Sequence, residues 1–103
     1  MISHGCVQLP TSANERVSFT VEAPTGTYCY PWHTVVSSRL DNTGVAENVL
    51  YINTPRSSIV IVGTDLINLQ RHFRDQDFLA LERGESDRFT VRTITVNDAH
   101  DDL

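Results

Sequence analysis

The chain has no lysine; all eight of its basic residues are arginine. Without a lysine amine it has neither a Schiff-base catalyst nor the lysine of a phosphate-binding P-loop. Long apolar runs are missing as well. No stretch reaches the roughly 18 apolar residues of a spanning helix, and Met1-Ile2-Ser3-His4-Gly5-Cys6 lacks the basic and apolar regions of a secretory signal. The expectation is a soluble cytoplasmic protein with no membrane partner. Cysteine is scarce: Cys6 and Cys29 make no disulfide framework, and in a reducing cytosol both are thiols. There is no G-x-S-x-G elbow, no H-E-x-x-H pair, no internal repeat and no low-complexity tract.

What is present fits one domain. A chain of 103 residues can bury one core without staples, and 40% hydrophobic with 20% charged residues is an ordinary globular composition. The net charge of −5, from 13 acidic against 8 basic residues, repels a phosphate backbone, and no basic cluster interrupts it. Nucleic acid is therefore not an expected partner.

Residues 1–15 are polar, aperiodic and broken by Pro10, which reads as a flexible N-terminal arm. A single domain follows over residues 16–96. Val17, Phe19 and Val21 alternate with Ser18, Thr20 and Glu22, the period of a strand with one wet face. Pro24-Thr25-Gly26-Thr27 turns the chain into a second strand, Tyr28 to Leu40, disturbed at Pro31, where a ladder donor is missing. Glu47–Asn53 and Ser57–Val62 flank Asn53-Thr54-Pro55-Arg56 as a hairpin. Ile59-Val60-Ile61-Val62 is apolar on both faces and belongs centrally in the sheet.

After Gly63 the period changes. Leu66, Leu69 and Phe73 recur at helical spacing, with a helix starting near Thr64 or Asp65 as its cap and a break after about residue 75. Residues 77–84 read either as more helix ending at Gly84 or as a short strand. Phe89 to Val96 alternates as a final strand, and residues 97–103 form an acidic C-terminal tail. The fold class is α+β: one small domain, a mainly antiparallel sheet of about five strands, and one main helix packed on one face.

Four constellations bear on chemistry. Val62-Gly63-Thr64-Asp65 joins a strand to a helix, where phosphate loops form, but its one glycine is followed by a carboxylate that would repel an anion. It reads as a corner. His4, Cys6, Cys29 and His33 are a tetrahedral zinc ligand set by type, yet on an extended strand Cys29 and His33 lie about 13 Å apart, and no common finger spacing is matched. Cys29 or Cys6 with a histidine could form a thiolate pair, although no nucleophile signature surrounds either thiol. Within that same third class, Asp98-Ala99-His100-Asp101-Asp102 has the atoms for acid–base work but reads as solvated tail.

The fourth is Tyr28-Cys29-Tyr30-Pro31-Trp32-His33. If extended, it projects Tyr28, Tyr30 and Trp32 from one face, either into the core or as a recognition stripe at a sheet edge. The leading functional expectation is a non-catalytic protein that self-associates as a dimer, or binds a small protein partner, through this edge. One alternative makes the stripe the wall of a small-molecule pocket with His33 or Arg39 as polar contact, and Arg39 and Arg56 able to hold a carboxylate. The other is a small enzyme or metalloprotein using Cys29 and His33. No cofactor is expected.

Overall fold

In a computed structural model describing residues 2–4, 6–9, 18–41 and 46–98, the described residues form ten strands, one 3-10 turn and one α-helix. The strands are β1 (Ile2–His4), β2 (Val7–Leu9), β3 (Ser18–Ala23), β4 (Gly26–Pro31) and β5 (Ser37–Asp41), then β6 (Asn48–Asn53) and β7 (Ser57–Thr64). After helix α1 (Leu66–Asp75) come β8 (Ala80–Leu81), β9 (Gly84–Glu85) and β10 (Thr90–Asp98). Pairing is antiparallel throughout except between β3 and β8, so the class is α+β, with mostly antiparallel five-stranded sheet structure and one main helix.

The strands divide into two sheets, ordered β1-β2-β8-β3-β4 and β5-β6-β7-β10-β9. The division falls in the run Tyr28 to Leu40. Pro31 ends β4, Trp32–Thr34 makes a 3-10 turn, and the chain re-emerges as β5 in the other sheet. One disturbed strand is thus two strands in different sheets, because Pro31 withholds a ladder donor where the chain must leave.

In the second sheet β7 is central, as its apolar run requires. Ser57, Ile59, Ile61 and Gly63 are buried on one face and Ser58, Val60, Val62 and Thr64 half-buried on the other. Phe89, just before β10, and Val91 on it are buried and so is Ile94, although strict alternation would bury Thr93. A β-bulge at Arg92 accounts for the change: the register with β7 shifts between Val91 and Thr93, returning Ile94 to the core. Opposite that bulge Val91 pairs with Gly63, whose missing side chain lets the two backbones approach.

Helix α1 buries Leu66, Leu69 and Phe73 against the shared core. Its start departs from the sequence expectation. Asp65 stands at the N-cap in the left-handed region, φ 56°, and neither it nor Thr64 supplies a side-chain cap bond. Instead Asn48 Oδ1 on β6 accepts from the Leu66 N–H at 3.2 Å. Without a bond from Asp65 itself, the helix start is capped by a residue 18 positions before Leu66. At the other end Gln76, φ 53°, closes the helix with its N–H on the His72 carbonyl, and Asp77 holds His72 Nδ1 at 2.6 Å. The segment beyond is the short-strand alternative, β8 and β9, with Phe78 fully buried between helix and strand.

Within the described residues, both chain ends contribute strands. Ile2–His4 and Val7–Leu9, read as arm, are strands β1 and β2, which pair with each other and, through β2, with β8, and Cys6 and Val7 are buried in the core. Three-residue strands are too short to show a period, so only the partner strand reveals them. Asn97 and Asp98, read as tail, extend β10 opposite Ser58 and Ser57. Residues 10–17 and 99–103, including His100, lie outside the described residues.

An aromatic cluster joins sheet, turn and helix. Trp32 lies 4.2 Å from Phe19, 5.0 Å from Phe78 and 5.9 Å from Phe73 between ring centroids. These edge and tilted arrangements add to plain area burial. No helix among the described residues is long and apolar enough to cross a membrane.

Candidate functional site

Strand β4 is the last strand of its sheet, and its residues pair with β3 alone. Among the described residues, no backbone hydrogen bond joins 26–30 to anything but β3. An antiparallel edge leaves alternate N–H and C=O groups pointing outward, so β4 presents an open ladder. The edge is short and ends at Pro31, which limits indiscriminate pairing.

Beside this edge stands the loop between β6 and β7. Together they enclose an open concavity of about 390 Å³, lined from β4 by Tyr28, Cys29, Tyr30 and Pro31 and from the loop by Thr54, Pro55, Arg56 and Ser57, with Thr34 completing it. The walls are fixed in place. Tyr30 stacks on Phe19 at 5.5 Å and its hydroxyl accepts from Ser57 Oγ at 3.1 Å, tying edge strand to loop across 27 residues. The loop is closed by Thr54, whose N–H and hydroxyl both donate to the Ser57 carbonyl at 2.9 Å. Tyr28 Oη shares a 2.8 Å hydrogen bond with Thr25 Oγ1, and Thr34 Oγ1 donates to the Pro31 carbonyl at 2.7 Å. Such ties reduce the side-chain freedom lost when something binds.

The six residues Tyr28 to His33 part company here. Tyr28 and Tyr30 face inward opposite Val21 and Phe19, half-buried, and line the concavity. Trp32 does not continue the stripe: the 3-10 turn carries it into the core, 3% exposed. Its Nε1–H is buried with no acceptor, surrounded by phenylalanine rings. A residue so placed offers no surface to a partner. His33 is exposed on the same turn and does not line the concavity. Arg39 lies elsewhere, on β5, with its guanidinium 4.2 Å above the Tyr51 ring and 4.0 Å from Asp41.

The four proposed metal ligands are not assembled. Cys6 sits just before Val7, and the ladder Val7–Leu81–Val21–Tyr28 separates β2 from β4 by three inter-strand steps, roughly 14 Å. Cys6 is buried, and desolvation pushes its thiol pKa up, which opposes thiolate chemistry and metal ligation. Cys29 is exposed, on the outward face opposite Thr20. Among the described residues no three His, Cys, Asp or Glu side chains gather as a metal site, and neither thiol has a histidine hydrogen-bonded to it. At the Gly63 corner the first helical amide is already bonded to Asn48, and Asp65 stands beside it as a carboxylate.

What sequence reading did not assemble is the pairing of Tyr28 and Tyr30 with Thr54, Pro55 and Ser57. No local signal marks it, since strand and loop meet only through the fold. The hairpin turn itself was visible, and with it the position of Arg56. No protein-family model matches the chain, and comparison with curated proteins and with solved structures likewise gives no match.

Proposed function

We propose that the protein is a non-catalytic binding module that receives an extended segment of a protein partner along β4, with one partner side chain entering the Tyr28–Tyr30–Arg56 concavity. The observation that carries this reading is an open sheet edge lying directly beside a concavity whose walls are held by hydrogen bonds. In strand addition, main-chain bonds to the edge supply affinity and pockets for alternate side chains supply specificity. Tyr28, Tyr30 and the two prolines provide apolar wall, and the hydroxyls of Thr54 and Tyr30 provide polar points.

Cys29 provides the test. It is exposed midway along the edge, so a bound strand shields its thiol. The expected result is that mixed pools of capped eight-residue peptides slow its alkylation by a maleimide at least threefold at millimolar concentration. Unchanged labelling with every pool refutes the reading.

A second reading has its own support, because about 390 Å³ falls within the usual size of small-molecule pockets. A small ligand raises the melting temperature without protecting the β4 amides, whereas an added strand does both.

A further inference from the structure

We infer that the segment received by β4 carries a single carboxylate, an Asp or Glu side chain flanked by apolar residues, which seats against Arg56. The inference rests on the binding reading above and names the chemistry of its partner. Of the nine residues lining the concavity, Arg56 alone bears formal charge. It is exposed and takes part in no ion pair among the described residues, unlike Arg39, Arg74 and Arg92, which meet Asp41, Asp75 and Glu47. Two other concavities are lined by Glu22 and Glu82, one of them with Arg83 as well, and both are net acidic. The β4 concavity is therefore a locally positive site on a protein of net charge −5.

This contrast specifies the ligand further. A guanidinium offers a planar fork of donors that matches a carboxylate. A run of acidic residues would meet the repulsion of the whole protein, while one carboxylate meets Arg56 locally and places the side chains two residues from it on Tyr28, Tyr30 and Pro55. Period two along the added strand sends alternate side chains to the same face, so one acid enters the concavity while the residues beside it face away.

The experiment uses the full chain and three tetramethylrhodamine-labelled, C-terminally amidated octapeptides of β-branched residues, differing only at one central position: Glu, Gln or Lys. Amidation removes the terminal carboxylate as a competing source. Fluorescence anisotropy is expected to rank Glu about three- to tenfold tighter than Gln, with Lys weakest. Arg56→Glu, at an exposed loop position, is expected to reverse the order of Glu and Lys while leaving the unfolding midpoint unchanged. Equal binding of the three peptides, or an unchanged order in Arg56→Glu, overturns the carboxylate assignment and leaves the binding reading standing. If none of the three binds below about 1 mM while a small ligand raises the melting temperature, both fall together.

Discussion

Replacing Gly63 by alanine tests the packing of the two longest strands at their tightest point. An added Cβ would overlap the Thr90 carbonyl oxygen outright, and would lie 2.9 Å from its carbon and 3.1 Å from Val91 Cα. Every one of these atoms is backbone. Relief therefore requires β7 and β10 to part at the Arg92 bulge, loosening the Val91–Gly63 pair and the burial of Val91. Overpacking a core costs about 1–3 kcal/mol when side chains can adjust, and a backbone collision belongs at or beyond the top of that range. The unfolded state of an alanine chain has less entropy to lose, which returns about 0.4–1 kcal/mol. The net expectation is a loss of roughly 2–4 kcal/mol, a large part of the 5–15 kcal/mol typical of a domain. At about 4 °C or more per kcal/mol, the melting temperature falls by at least roughly 8–16 °C. Urea titration followed by Trp32 fluorescence measures it, with Thr95→Ala, exposed on β10, as a control expected within about 0.5 kcal/mol of the parent. A Gly63→Ala protein as stable as the control would refute the close approach of β7 and β10.

Other expectations follow from single contacts. Asn48→Ala removes the acceptor for the Leu66 N–H and should lower stability by about 1 kcal/mol in urea titration, as loss of a helix cap does. Trp32→Ala should lose about 3–5 kcal/mol by circular dichroism, whereas Trp32→Phe should lose far less, since it retains a ring and removes the orphaned Nε1–H. In the native state a thiol reagent should modify one cysteine, Cys29, with Cys6 reacting only on unfolding. Burial raises the Cys6 thiol pKa, so the folded state holds its proton more tightly than the unfolded one. That contribution is complete below the free-thiol value of about 8.5 and is lost as pH rises through the folded value. Between pH 7 and pH 10 the parent should therefore lose more stability than Cys6→Ala, as read by urea midpoints.

Sequence and structure agree where a local pattern decides the outcome. The period-two run of β3, the hairpin at Asn53-Thr54-Pro55-Arg56, the doubly apolar β7 and the 3.6-residue stripe Leu66, Leu69, Phe73 are all legible, because each element's own residues state which face is buried. Legibility fails where the deciding partner is remote. The β1–β2 hairpin is too short to show a pattern and depends on β8. A helix cap supplied by Asn48 leaves no trace near Asp65. One residue of bulge at Arg92 exchanges the faces of a strand whose alternation looked uniform. At the candidate site, Tyr28 and Tyr30 were identifiable as aromatics at an edge, but the turn that removes Trp32 to the core and the loop that brings Arg56 alongside are consequences of the division into two sheets.

The claim that β4 is an open edge has a direct measurement: residue-resolved amide hydrogen exchange over 27–30, with and without the glutamate octapeptide. In the free protein alternate amides of this stretch should exchange within seconds while those bonded to β3 are protected, and the peptide should slow the fast set by tenfold or more. Free-state protection of all four amides to the level found in β7 would mean that the edge is already covered, and would contradict the account.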